Sequence, residues 1–261
     1  MEAMILAAGA GTRLRPLTDQ TPKALIPVGG RPLIAHVMDR LVAAGVSRLI
    51  VNVCHHADAI EAYLAANTPA NVEIVVSREP DGPYDTGGGL LAAAPLFRRD
   101  GPFLLHNVDV LSAIPLGKLQ ATHSAARGRG GGPLVASLAV QERAGSRKLL
   151  FDANGLLGWE NRGPDGAVSD SRRARVPEGS VSRWSFAGLH VVEPALFDLA
   201  DQAGTFSIIS WYLALAERGY RILPVDVSGS EWIDVGTHER LAEAERAGGR
   251  KSGWVNRPAG A

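Results

Sequence analysis

The sequence has 261 residues, 46% hydrophobic and 21% charged, ordinary values for a globular chain long enough to bury a full core. Lys plus Arg equals Asp plus Glu at 27 each, so no overall charge draws the chain to nucleic acid or to an anionic membrane. The one cysteine, Cys54, excludes an intramolecular disulfide framework, and the absence of a membrane-length apolar stretch or a basic leader completes the expectation of a cytoplasmic protein.

The first element is an apolar run, Met4 to Ala8, expected as a buried strand that breaks at Gly9 and Gly11. Two glycines one residue apart let the backbone turn sharply and bring its N–H groups against an anion. Arg13 follows, and Thr21-Pro22-Lys23-Ala24-Leu25-Ile26-Pro27-Val28 supplies a second cation. The spacing is not a dinucleotide fingerprint, whose third glycine is replaced by Leu14, nor a P-loop, which needs Gly-Lys-Ser/Thr. Strand, glycine loop and two cations together describe a phosphate-binding loop that opens an α/β domain.

Arg31 to Ala44 is expected as a helix, with Leu33, Ile34, Val37, Met38, Leu41 and Val42 on one face and Gly45 stopping it. Leu49 to Cys54 is a buried strand in which Cys54 is a packed thiol; Ala57 to Ala66 is a helix and Val72 to Val76 a strand. Strands and helices alternating at short intervals argue for a mostly parallel sheet covered on both faces.

Glu79 to Gly89 is a turn feeding a helix that runs to Phe97, with Asp85 or Thr86 as its cap. Gly101 to Val110 is a strand, apolar until Asn107 and Asp109 at its carboxyl end, where open α/β sheets bind ligands. Asp109 could equally cap the next turn, and His106 reads as a packed histidine. Gly117 to Ala126 is helical; Arg127 to Pro133, charged but without an aromatic, is a loop rather than an RNA contact. Leu134 to Val140 is a strand, and Leu149–Asp152 with Gly155–Trp159 is a hairpin.

Gly163 to Arg183 is polar and patternless, expected as a flexible lid or insertion. Ser185 to Val192 is a strand, Pro194 to Leu199 a short helix, Ser207 to Arg218 a helix in which Trp211 packs, and Arg221 to Val227 a strand. Asp234 then stands between apolar neighbours, where an unpaired carboxylate is costly; a divalent cation shared with Asp109 would partner it. Thr237 caps a last helix, His238 to Ala247, and Lys251 to Ala261 is a loose tail.

The string LAAGAGTRLRPLTDQTPKALIPVGGRPLI closely resembles the opening of the sugar-1-phosphate nucleotidylyltransferases, the NDP-sugar pyrophosphorylases. Trp232-Ile233-Asp234-Val235-Gly236-Thr237 is similar to their Trp-x-Asp-x-Gly-Thr, and Ala187-Gly188 to their Ala-Gly-Ile strand. The resemblance runs from Met4 to about Ala247 and is weakest in the middle third. It implies a Rossmann-like, GT-A-like α/β fold: a mixed, mostly parallel sheet with helices on both faces and a small sugar-binding β lobe. Residues 1–247 would form one domain, with a nucleotide half to about 112, an acceptor half from about 113, and a tail over 248–261.

The implied reaction takes an NTP and a sugar 1-phosphate to an NDP-sugar and pyrophosphate, with Mg²⁺ as cofactor and neither nucleic acid nor membrane as partner. By the same resemblance Leu6, Ala8, Gly9, Gly11, Thr12, Arg13, Thr86, Gly87 and Asn107 contact the nucleotide. Lys23, Glu160 and Gly188 contact the sugar phosphate; Asp109 and Asp234 hold the metal; Arg13, Lys23, Asp109 and Asp234 carry catalysis. Two positions depart from the pattern: a pyrimidine-reading glutamine is missing where Glu79 stands nearby, and Asn161 replaces a lysine after Glu160. The short chain, expected to lack an appended β-helix, and the Asp85-Thr86-Gly87-Gly88-Gly89 loop most resemble the bacterial N-acetylmuramate-1-phosphate uridylyltransferases, and Ala7-Ala8-Gly9 favours UTP. A mannose- or heptose-1-phosphate guanylyltransferase, a cytidylyltransferase for a phospho-alcohol, and a catalytically silent nucleotide-sugar sensor remain alternatives. A nucleotide-binding oxidoreductase is disfavoured by the missing third glycine. The expected assembly is a monomer or small homo-oligomer.

Overall fold

The computed structural model describes residues 1–248, so the tail expected at Lys251 to Ala261 lies outside the described residues. β1 (Glu2–Leu6) opens the chain, and β2 (Pro27–Val28) with β3 (Arg31–Pro32) forms a small hairpin before α1 (Leu33–Ala43). β4 (Arg48–Val53), α2 (Ala57–Ala66), β5 (Glu73–Arg78) and α3 (Asp85–Ala92) follow. Next come β6 (Phe103–Asn107), β7 (Val110–Ser112), α4 (Leu116–Ala126) and β8 (Leu134–Gln141). β9 (Arg147–Asp152), β10 (Gly155–Arg162), β11 (Val168–Arg173) and β12 (Ser182–Val192) make the second half of the sheet. α5 (Ile208–Glu217), β13 (Arg221–Asp226), β14 (Trp232–Asp234) and α6 (His238–Gly248) complete it.

The main sheet runs β11-β10-β9-β12-β6-β1-β4-β5, with β8 paired to β12 and β13 to β8. It is mixed. The strands are parallel from β6 through β1 and β4 to β5. β12 is antiparallel to β6, and beyond it only the β13–β8 pair is parallel. β1 lies between β4 and β6, and its residues alternate between two cores, as the period of a strand requires. Ala3 and Ile5 join Val37, Leu41, Ile60, Leu64 and Leu119 on the α1, α2 and α4 side. Met4 joins Leu90, Trp211 and Tyr212 on the α3 and α5 side. Trp211 is fully buried there, so it packs as expected and is not a surface for a sugar.

Three differences from the sequence reading have local causes. The strand expected over Gly101 to Val110 divides at a turn over Val108–Asp109, because β6 stays in the main sheet while β7 leaves it to pair with β14. The helix expected to reach Phe97 ends at Ala92 and continues as a 3₁₀ turn, Ala94–Leu96, around Pro95, which cannot donate into the α-helical ladder. The patternless segment at 163–183 contains β11, whose six residues are all exposed and pair only with β10. An edge strand wet on both faces carries no hydrophobic alternation, so the pattern that reveals strands is missing. Cys54 is half-buried, and burial raises its thiol pKa, with the Glu79 carboxylate adding to the effect, which disfavours the nucleophilic thiolate.

A third apolar cluster decides where the site forms. Leu14, Ile26, Val28 and Leu33 from the N-terminal segment pack with Leu111 of β7, Ile233 and Val235 around β14, and Ala244 of α6. This clamps the chain after the glycine loop to the β7–β14 ribbon.

Histidines have been built into both main cores. His106 has its Nδ1 2.8 Å from the Asn107 carbonyl, and His190 has its Nδ1 3.1 Å from the Tyr212 hydroxyl. Burial pushes their pKa values down from 6.5 to about 4 and about 3. His123, held between Ser137 and Glu193, is also lowered by burial. Unfolded histidines bind protons as pH falls through 6.5, whereas these folded ones stay neutral until near 4 and 3. Stability is therefore full above pH 6.5 and is lost as pH falls towards the folded values. Urea titrations at pH 7 and pH 4.5 should differ by several kcal/mol, since each tenfold difference in proton affinity is worth about 1.4 kcal/mol. His190→Gln should flatten that dependence.

Candidate active site

An open cleft lies at the carboxyl ends of β1, β4 and β6, where open α/β sheets bind ligands. Leu6, Ala8 and Gly9 form one wall, Pro83, Asp85 and Thr86 another, and Lys23, Asn52, Asn107, Val108 and Asp109 the remainder. Seven of the residues expected from the sequence therefore meet in one cavity: Leu6, Ala8, Gly9, Lys23, Thr86, Asn107 and Asp109.

The glycine loop is shaped by two requirements. Gly11 has φ +62, and a Cβ there would stand 2.9 Å from Thr18 Cγ2 and 3.2 Å from Lys23 Cβ. The residue must therefore be glycine both for its left-handed backbone and for the packing that seats Lys23. The Thr18 hydroxyl donates to the Gly11 carbonyl at 3.0 Å, and Thr12–Leu14 continues as a 3₁₀ turn. Gly9 faces open space, so nothing in the protein crowds its backbone.

Lys23 and Asp109 form a direct ion pair, Nζ to Oδ2, at 2.5 Å, with the side chains only 11% and 25% exposed. Asp109 is held by its own main chain, whose carbonyl accepts from Val235 N–H at 2.8 Å. The adjoining ladder puts Asp234 opposite Val110 and Trp232 opposite Ser112. Asp109 and Asp234, far apart in sequence, thus stand on neighbouring positions of one ribbon. At Gly236 a Cβ would fall 2.8 Å from Arg13 Nη2 and 3.1 Å from Asp234 Oδ1, so the glycine leaves the gap that Arg13 and Asp234 share. Arg13 and Thr12 are exposed. They, with Gly11 and Asp234, are not among the cleft-lining residues.

The remaining expected residues have other neighbours. Thr86, which lines the cleft, accepts from Ile208 N–H at its Oγ1 at 2.9 Å, at the start of α5, so its hydroxyl proton is not used in that bond. Gly87 N–H donates to the Phe206 carbonyl at 2.9 Å, and a Cβ on Gly87 would lie 2.5 Å from the Phe206 ring. That glycine packs α3 against the segment before α5 and does not line the cleft. Gly188 has φ +78, and its Cβ position is 2.7 Å from Val110 and 3.3 Å from Asn107 Nδ2, so it borders the cleft floor. Glu160 is buried away from the cleft, where its Oε1 accepts from Arg162 Nε at 2.7 Å and Arg183 Nε at 2.9 Å. Burial alone would raise this carboxyl, but the two guanidiniums hold it below the usual range.

Sequence reading missed Asn52, which is 2% exposed. Its Oδ1 accepts the Ala7 N–H at 2.8 Å, and its Nδ2 donates to Glu79 Oε1 at 2.7 Å. Glu79 Oε2 in turn accepts Tyr84 N–H at 2.7 Å. This chain of bonds ties the glycine loop to the 79–84 turn across the cleft. The only sequence signal was a polar residue inside an apolar strand.

Residues 2–145 match the nucleotidyl transferase family. The N-acetylmuramate alpha-1-phosphate uridylyltransferase of Caulobacter vibrioides is 34% identical over 246 residues, 93% of this chain and 95% of its own. The mannose-1-phosphate guanylyltransferase catalytic subunit beta of Drosophila melanogaster is 30% identical over 236 residues, 90% of this chain and 59% of its own. Among solved structures, a putative glucose-1-phosphate thymidylyltransferase from Bacillus anthracis in complex with a sucrose superposes with TM-score 0.75 at 16% identity, covering 98% of this chain and 97% of that one. That likeness concerns the fold.

Replacing Asn52 by Leu would strand the Ala7 N–H and one oxygen of a buried carboxylate. At about 1–3 kcal/mol for each unsatisfied buried group, Asn52→Leu should lower unfolding free energy by about 2–4 kcal/mol in urea titration. A loss below about 0.5 kcal/mol would show that the bridge does not hold the loop.

Proposed function

The chain belongs to the nucleotidyl transferase family, and we propose that it transfers uridylate from UTP to N-acetylmuramate 1-phosphate, releasing pyrophosphate. The observation that carries the reading is the Lys23–Asp109 ion pair in the cleft formed by the glycine loop, Thr86 and Asn107. Identity of 34% over 93% of the chain supports the choice of substrates.

A sugar 1-phosphate is an ionised nucleophile near neutral pH, so the protein needs no strong base. The difficulty is bringing two anions into line at the α-phosphorus. In this reading the N–H groups of Gly9, Gly11 and Thr12 bind the triphosphate. Arg13 binds the departing pyrophosphate, and Lys23 lies between the α-phosphate and the attacking phosphate. The acceptor oxygen forms its bond to phosphorus as the bond to the pyrophosphate oxygen breaks, and the cations offset the charge that gathers there. The Thr86 hydroxyl and Asn107 contact the nucleotide, and the backbone at Gly188 gives the sugar ring close approach.

Asp109 and Asp234 would hold Mg²⁺. Their fit rests on two hard oxygen donors on one ribbon. Among the described residues no third His, Cys, Asp or Glu joins them, which suits a cation that takes one or two carboxylates and completes its shell with phosphate oxygens and water. Bound there, Mg²⁺ would supply positive charge to the reacting phosphates. Lys23 holds Asp109 meanwhile, so the carboxylate is positioned but neutralised until substrate phosphates compete for the lysine. A silent sensor would be expected to lose one of these groups, and Arg13, Lys23, Asp109 and Asp234 are all present. The 30% identical guanylyltransferase supports GTP and mannose 1-phosphate as the second reading.

Pyrophosphate release should be measured for UTP, dTTP, GTP and CTP against N-acetylmuramate, N-acetylglucosamine, glucose and mannose 1-phosphates. UTP with N-acetylmuramate 1-phosphate should stand above every other pair, and EDTA should stop it. A clear preference for GTP with mannose 1-phosphate would replace the uridylyl reading. Asp109→Ala and Asp234→Ala should each lower kcat by about a hundredfold or more with the circular dichroism spectrum unchanged. Normal turnover in either variant would sink the metal assignment.

A further inference from the structure

The loop after β8 and the start of β9 bring together two half-buried cations to which the mechanism gives no role. Arg143 Nη2 donates to the Phe186 carbonyl at 2.8 Å, and its guanidinium stacks 3.8 Å from the Trp232 ring centre. Lys148 Nζ donates to Ser185 Oγ at 2.8 Å and also to the Arg143 carbonyl. Among the described residues neither makes an ion pair: their partners are carbonyls, a hydroxyl and an aromatic face. Burial lowers both pKa values, and Arg143 lowers that of Lys148 further, so each cation would be better satisfied by an anion than by its present neighbours.

Glu142, which raises the Lys148 pKa through space, is exposed, and the carboxylate across the ladder is already committed. Lys148 lies opposite Glu160, and Leu150, two residues on, lies opposite Arg183. The period of two therefore puts Lys148, Glu160 and Arg183 on one face. Glu160 is already held there by Arg162 and Arg183, so its charge is spent and the face stays positive. Asp234 raises the Arg143 pKa from a distance but is on the ribbon assigned to the metal.

This cationic pair is continuous with the acceptor wall. Trp232 Nε1 donates to the Ala187 carbonyl at 2.8 Å, directly after the Phe186 carbonyl that Arg143 holds. Gly188 comes next, with its Cβ position 3.3 Å from the cleft residue Asn107. An acceptor whose 1-phosphate reaches Lys23 and whose ring crosses Gly188 would carry its far side towards Arg143 and Lys148. We propose that Arg143 and Lys148 form an anion subsite for a carboxylate on the acceptor sugar itself, separate from its 1-phosphate. The identity of the acceptor rests on the transferase reading above. N-acetylmuramate differs from N-acetylglucosamine by a lactyl ether that ends in a carboxylate, the group such a subsite would select.

The test is calorimetric binding of UDP-N-acetylmuramate and UDP-N-acetylglucosamine, which share every phosphate and differ in that carboxylate. The wild-type protein should bind the first about tenfold or more tightly, as expected for a charge-assisted contact. Arg143→Gln and Lys148→Met should collapse the ratio towards one, and Lys148→Arg should keep it. Equal binding of both ligands by the wild type would overturn the proposal without any variant. So would variants that weaken both ligands alike, since the cations would then read the shared phosphates or only support the fold. If no nucleotide and acceptor pair releases pyrophosphate while the binding ratio holds, the transferase reading fails and the subsite stands.

Discussion

The cleft depends on the short antiparallel ladder between β7 and β14. Without it, Asp109 would end an ordinary central strand and Asp234 would belong to a C-terminal loop. The ladder and the Val235 N–H to Asp109 carbonyl bond put both carboxylates on one ribbon, and Leu111, Ile233 and Val235 bury the ribbon's inner side. Leu14, Ile26 and Leu33 complete that cluster, so apolar burial that places the aspartates also places the segment carrying Arg13 and Lys23. Hydrophobic packing, which has no direction of its own, here positions opposite charges against one another. The resulting Lys23–Asp109 pair costs desolvation, and a paired, partly exposed arrangement is what makes that cost tolerable.

Glycine does different work at each position in this region. Gly11 is required by its left-handed backbone and by Thr18 and Lys23 packed where its side chain would be. Gly236 is required by the shared approach of Arg13 and Asp234, and Gly87 by the Phe206 ring. Glycines that look alike in the sequence thus serve backbone geometry, side-chain clearance and helix packing by turns.

The parallel half of the sheet was legible because β1, β4 and β6 are buried on both faces and α1 has one apolar stripe. α2, read at Ala57 to Ala66, has those limits in the structure. Asp234 drew notice for the opposite reason, as a charge between apolar neighbours. What stayed hidden has no local signature. β11 is paired through its backbone and exposed along its length, so its side chains report solvent rather than sheet. Asn52 looks like an interruption in a strand until its two partners, Ala7 and Glu79, are brought to it by the fold. The polar cross-strand row of Lys148 and Glu160 depends on register in the β9–β10 hairpin, where a bulge between Leu156 and Gly158 shifts the pairing. No sequence period encodes that shift.

Glu79 shows how an apparent departure from a family pattern can be a structural residue. It stands near the position where a glutamine would read a pyrimidine edge, which invites a direct role in choosing the base. Its carboxylate is 4% exposed, with Oε1 taken by Asn52 and Oε2 by Tyr84 N–H, and a Cβ at Gly89 would be 2.5 Å from Oε1. A carboxylate enclosed on three sides by α3, β4 and its own turn has no oxygen to offer a nucleobase without breaking the bridge to the glycine loop. The side chains that do line the cleft on this side are those of Pro83, Asp85 and Thr86. Because the Asp85 carboxylate already accepts Thr86 N–H, the Thr86 hydroxyl proton is the side-chain donor left among them. The proposed choice of UTP therefore rests on the similarity to the uridylyltransferases and not on this turn, since one donor meets the carbonyl of uracil and of guanine alike.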